Sequence, residues 1–188
     1  KMCCFLREME NKKKSISPRK ELSTGDFIKV ISTLPKKTNC AFTGGEPFVK
    51  KDFMALVRAA KKRNNQVTIG TNGVLLSKER AQEIVELGVE QVCFSLDGPE
   101  KIHNSIRRRE SSFRALFDNA QKLRDIRDKH HSRWPRIMVN AVILNENYAL
   151  LPQTIEIMKD MGADIASIEA VDGSYERSAN RLKPSIDF

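Results

Sequence analysis

The residues of this chain best suited to chemistry sit in short polar stretches, each directly behind an apolar run. TGGEP, at 43–47, sets a carboxylate behind two glycines. Gly44 and Gly45 let backbone approach a ligand and expose amides and carbonyls. Glu46 adds a fixed negative charge for a cation or an amine, and Pro47 stiffens the turn. A plain strand-to-helix turn would look the same, and so would GTNG at 70–73, where Asn72 stands in an ordinary turn pair. SLDG, at 95–98, puts Ser95 and Asp97 on one face if the strand continues through them, a spacing that grips the two hydroxyls of a ribose. In the following PEKIHNSIRR, read as a loop, Arg107 offers a fork that matches a carboxylate. His103 there reads as a structural hydrogen-bonder before an acid–base group. Asn140 interrupts the apolar run IMVNAVIL, so its amide must face a shared cavity or find a partner inside the fold. An amine binder, ribose binders and a carboxylate binder together describe an amino acid joined to a nucleoside.

Elements that would hold these groups in place are legible in the hydrophobic pattern. Apolar, β-branched runs at 39–42, 66–70, 91–96, 137–144 and 165–171 read as strands. Between them lie helical stripes: Phe53, Leu56, Val57 and Ala60; Ala81, Ile84 and Val85; Phe113, Leu116, Phe117, Ala120 and Leu123; Leu151, Ile155 and Met158. Ser23 and Ser77 suit N-caps, Gly88 and Gly162 suit helix ends, and Pro152 suits a first turn. Strand and helix in alternation demand a parallel sheet with right-handed crossovers, its strands apolar on both faces. Ligands of such sheets gather at the carboxyl ends of the strands, where TGGEP, GTNG and SLDG lie.

The 188 residues fit one hydrophobic core, and 40% hydrophobic content argues against disorder. No apolar run is long enough to span a membrane and no signal peptide is evident, so the expectation is a soluble, cytoplasmic protein. Lys and Arg number 33 against 24 Asp and Glu, a formal charge of +9. The basic residues are scattered and aromatics are only 6%, which favours a solvated basic surface over a nucleic-acid groove. Cys40 and Cys93 sit in strand-like runs as small core residues, while Cys3 and Cys4 stand at the amino end. The abrupt ends suggest a segment of a longer protein.

The carriers of a family likeness are MCCF, TGGEP, GTNG, SLDGPEKIHNSIRR, MVNAVILNENYALLP and GADIASIEAV, which extend from Lys1 to about Val171. TGGEP with SLDG at this separation is the specific part. The sequence resembles radical S-adenosylmethionine (SAM) enzymes, in particular the group of peptide-modifying maturases and the molybdopterin-forming GTP cyclase. That resemblance implies an α/β fold: a partial (β/α)6-type TIM-like barrel with parallel strands, its first strand missing. It implies a core at 1–171 and, at 172–188, the start of an extension or linker. The family motif C-x3-C-x2-C holds a 4Fe–4S cluster; here only Cys3 fits, as its last ligand, with the other two cysteines expected ahead of Lys1. Met2 would lie by the adenine.

By the same resemblance, Gly44, Gly45, Glu46 and Pro47 would receive the amino group of SAM. Ser95 and Arg107 would meet its carboxylate, and Ser95 or Asp97 its ribose. Asn72 and Asn140 would line the cavity, with Ala170 and Val171 by the adenine. Asn104, where relatives often carry Asp, is a small departure. The implied activity is that of a radical SAM oxidoreductase or maturase, in which a 5′-deoxyadenosyl radical takes a hydrogen atom from an unknown peptide or small molecule. Electrons would come from a donor such as flavodoxin or ferredoxin, and the segment alone is expected to be inactive. The alternatives are a non-catalytic α/β module with a basic RNA-contacting surface, or a phosphate-dependent nucleotide enzyme. Against the latter, no GxxxxGK[ST] or GxGxxG occurs.

Overall fold

A computed structural model describes residues 22–170. Helix α1 (Thr24–Thr33) begins at Ser23, whose Oγ accepts the amide of Asp26 at 3.1 Å. Strand β1 (Asn39–Phe42) leads through a 3-10 turn (Pro47–Val49) to α2 (Phe53–Lys62). Then follow β2 (Gln66–Thr71), α3 (Lys78–Glu86), β3 (Gln91–Ser95), α4 (Glu100–Arg107) and α5 (Ser112–Lys129). Strand β4 (Arg136–Ile143), a second 3-10 turn (Tyr148–Leu150), α6 (Leu151–Asp160) and β5 (Ile165–Ala170) complete the described chain. The five strands lie side by side in chain order, all parallel, as in a partial TIM-like barrel.

Helix boundaries follow local chemistry. Ser77 caps α3 by accepting the amide of Arg80. Gly88 and Gly162 end α3 and α6 at φ +63° and +80°, a region where an L side chain is strained. The core lies between the helices and one face of the sheet. Val67, Ile69, Val92, Phe94, Ile137 and Val139 supply that face, against Val57, Ala60, Ile84, Leu116, Ala120 and Leu123.

Three expectations change. The strands are not apolar on both faces: in β2 to β4 the alternate residues on the uncovered side, Thr68, Cys93, Ser95, Met138 and Asn140, are less buried and largely polar, and Ser167 of β5 continues that side half-buried. That side faces the lumen of a partial barrel, which no helix covers. In α6 the buried positions are Thr154 and Met158, while Ile155 is 42% exposed. The stretch after SLDG is a helix, α4, rather than a loop.

Candidate functional site

The strand registers align the candidate groups in rows across the lumen face. Ser95 pairs with Asn140, and Asn140 with Ser167, so three hydrogen-bonding side chains stand on adjacent strands at one level. Neighbouring residues of parallel strands share a face. The Oδ1 atom of Asn140 is buried and has no hydrogen-bond partner among the described residues. An acceptor left unmatched in this way is costly unless something donates to it. One row lower, the Cys93 thiol donates to Met138 Sδ at 3.3 Å. Burial raises the Cys93 thiol above its ordinary range, which keeps it protonated.

The glycine–glutamate turn sits at the end of β1. Gly44 adopts φ +122°, and a Cβ on either Gly44 or Gly45 would meet nothing within 4 Å, so both leave open space above the strands. Pro47 opens the 3-10 turn. The Glu46 carboxylate reaches across to the end of β2: Oε1 accepts from Thr71 Oγ1 at 2.8 Å and from Phe48 N at 3.3 Å, and Oε2 accepts from Asn72 N at 2.8 Å. No cation pairs with it among the described residues. Asn72, half-buried, turns its own Oδ1 back to the amide of Val74. Gly73 follows at φ +77°, and a Cβ there would come within 2.6 Å of a Leu116 methyl. Asn119 of α5 donates to the Gly73 carbonyl at 2.8 Å, so the turn after β2 is fastened to the core helix beneath it.

Asp97 and Arg107 pair with each other just past the row of Ser95. Strand β3 ends at Ser95, and Asp97, only 1% exposed, departs from the alternation. Its carboxylate binds the Arg107 fork through both oxygens, at 2.5 Å from Nε and 3.1 Å from Nη2. The Asp97 carboxylate is thus engaged by the Arg107 fork, while the Arg107 side chain stays 30% exposed. His103 completes the cluster, accepting at Nδ1 from the Asp97 amide at 3.2 Å. Burial lowers its pKa to about 4, and the nearby Asp97 charge acts the other way without prevailing. His103 is thus a neutral structural acceptor.

Ala170 pairs with Ile143 on the opposite face from Asn140, and is exposed. Met2, Cys3 and Val171 lie outside the described residues. Among the described residues no three His, Cys, Asp or Glu side chains are grouped to hold a metal. Two functional candidates escaped sequence reasoning: Ser167, which extends the Ser95–Asn140 row, and Asn147, buried behind the mouth. A polar residue in an otherwise strand-forming segment was the available signal for Ser167.

Parallel strands whose carboxyl ends converge on a polar row, with a glycine–glutamate turn at one side, define the architecture of radical SAM enzymes. The chain belongs to the radical SAM superfamily, whose model matches residues 2–158. It is 34% identical over 151 residues to PqqA peptide cyclase of Rhodopseudomonas palustris, covering 77% of this chain and 37% of that protein. It is 34% identical over 136 residues to GTP 3′,8-cyclase of Rhizobium etli, covering 69% and 36%. SuiB of Streptococcus suis, solved with bound S-adenosylmethionine, superposes with a TM-score of 0.69 at 15% identity, over 92% of this chain and 39% of that one. The chain spans about two-fifths of the length of the curated relatives it matches. The cofactors of the superfamily are a 4Fe–4S cluster and SAM. The donor set on the lumen row fits SAM; the expected cluster ligand, Cys3, is not among the described residues.

Proposed function

We propose that this chain is the core of a radical SAM oxidoreductase or maturase, with residues 1–171 forming that core and 172–188 opening an extension or linker. The observation that carries the reading is the unmatched Asn140 Oδ1, buried on the lumen side of β4 beside Ser95, the last residue of β3. The hydroxyls of a ribose supply the donors that this acceptor lacks, and Ser95 adds a hydroxyl that donates to an oxygen of the same ligand. Ser167 extends the row on the far side.

At β1 the exposed backbone of Gly44 and Gly45 receives the amino group of SAM. The Glu46 carboxylate stands beside that group, its three donors being two neutral amides and a hydroxyl rather than a cation. Pro47 fixes the turn, and Asn72 closes the cavity from β2. Met2, Val171 and the backbone of Ala170, whose side chain is on the face opposite Asn140, are assigned to the adenine end and Cys3 to the cluster. The chemistry that the two cofactors supply when bound is reductive cleavage of the sulfonium to a 5′-deoxyadenosyl radical that abstracts a hydrogen atom. The protein's share is to bind, orient and exclude water.

The substrate is a peptide or small molecule, in line with the peptide cyclase and GTP cyclase among the relatives. Reduction comes from a donor such as flavodoxin or ferredoxin. No helix among the described residues is long and apolar enough to cross a membrane, and the reducing cytoplasm suits thiolate ligation of a cluster. The test is anaerobic reconstitution of the full-length protein with iron and sulfide, followed by assay for 5′-deoxyadenosine. Release of 5′-deoxyadenosine under reduction is the expected result; an iron-loaded protein that neither binds SAM nor cleaves it overturns the reading.

A further inference from the structure

We infer that Asn147 is a positioning residue that sets the spacing between the two central walls of the cofactor cavity. This rests on the reading of Ser95 and Asn140 as SAM-binding groups, but Asn147 itself touches no ligand. It is 1% exposed and lies in the turn after β4.

Its amide uses both hydrogens and its oxygen. Nδ2 donates to the Asp97 carbonyl at 2.8 Å and to the Val142 carbonyl at 2.8 Å, while Oδ1 accepts the Leu144 amide at 2.7 Å. The two carbonyls occupy equivalent places: Asp97 is two residues past Ser95, and Val142 is two residues past Asn140. The β3–β4 pairing ends at the Ser95–Asn140 level, apart from one last bond from Leu96 N to Asn140 O at 2.9 Å. Beyond that level β4 still pairs with β5, but β3 turns away toward α4. A single side-chain amide therefore replaces the ladder where the two strands part.

The site is built tightly around it. Gly98, at φ +145°, would carry a Cβ 3.7 Å from that of Asn147 and 3.2 Å from Ile102 Cγ2. Without the amide, two carbonyls and one N–H lose their partners at the rim. The loop after β3 is then free to shift relative to β4, and the Ser95–Asn140 separation is no longer fixed. Shifts of about 1 Å suffice to lose binding or rate at a site of this kind.

The experiment measures SAM affinity in the full-length, iron-loaded protein by anaerobic equilibrium dialysis, with iron content and thermal midpoint alongside. Asn147→Ala is compared with Asp164→Ala, which releases the other end of β4 by removing the acceptor for Ile137 N and the partner of Arg127. The expected result is a Kd raised at least tenfold by Asn147→Ala at unchanged iron content. Asp164→Ala, with a similar loss of melting temperature, stays within twofold of wild type. A Kd within twofold in Asn147→Ala overturns the inference, and so does equal weakening in both variants, which would mark a purely structural role. Should Asn147→Ala fail to fold, Asn147→Ser, which keeps one donor and one acceptor, is expected to bind with intermediate affinity. In wild type, SAM should slow amide exchange in segments 95–98 and 142–147 together; protection of only one overturns the coupling. An iron-loaded wild type that does not bind SAM defeats the functional reading, and this inference with it.

Discussion

At the amino ends of the strands, Glu90 and Asp164 each stand just ahead of one strand and accept an amide of its neighbour. Glu90 takes Val67 N at 2.7 Å, and Asp164 takes Ile137 N at 2.7 Å. Each also holds a cation at 2.6 Å, Lys61 and Arg127 respectively. At the carboxyl ends Glu46 does the mirror-image task, standing just behind β1 and accepting an amide from the end of β2. It has no cation among the described residues. The same joint is neutralised at one rim and left charged at the other. On the function proposed above, the difference has a use: the charge is cancelled where stability alone is required and kept where the amino group of SAM is received. Asp97 is the exception at the upper rim, since Arg107 pairs with its carboxylate.

The largest effect should come from breaking that exception. Arg107→Met leaves the buried Asp97 carboxylate without its fork and should cost about 3 kcal/mol in urea unfolding, near the low end for a broken buried pair since Arg107 is 30% exposed. Adding Asp97→Asn to Arg107→Met should recover part of that loss. Recovery of none would mean the pairing contributes through shape rather than charge.

His103 gives the next effect, through pH. Its folded-state pKa of about 4 lies below the ordinary 6.5. Between those values the unfolded chain binds a proton that the folded chain refuses. Stability is therefore lost as pH falls from about 6.5 toward 4, by no more than about 3 kcal/mol, and levels off below. A His103→Gln variant should show a flatter dependence over that window, by thermal melting at a series of pH values. An unchanged slope would assign the acid lability to other groups.

The two rims can be compared directly with Glu46→Gln and Glu90→Gln. Both should lower stability by about 1 kcal/mol through weakened caps. Only Glu46→Gln should weaken SAM binding, about tenfold, at constant iron content. Equal SAM affinity in the two variants would remove the distinction drawn above. The smallest effect concerns thiols. Burial raises both Cys40 and Cys93, so in folded protein each should react with a maleimide far more slowly than after denaturation. Fast labelling of Cys93 would show a lumen wetter than its half-buried position implies.

Most of the sheet was legible because periodicity is a local property. The five strand-like runs match the observed strands to within a residue or two, and TGGEP and GTNG lie at adjacent strand ends as expected. What failed depended on contacts distant in sequence. Asp97 was read by extending the strand alternation two residues too far, and its true partner lies ten residues on, across α4. That helix was missed because it is only eight residues long and is anchored by the same pair. Ile155 was taken for core because apolar spacing does not tell which side of α6 meets the sheet; a threonine fills that place, its hydroxyl bonded to the Leu150 carbonyl. Asn147 gave no local sign, since its bond to Asp97 spans 50 residues.

Gly73 has an evolutionary consequence. The turn that carries Asn72 rests directly on Leu116, with no room for even one added carbon. A larger side chain at position 116 of α5 would therefore press on the turn that carries Asn72. If the proposed cavity is right, this interior leucine offers variation a second route to its shape, beside the residues that line it.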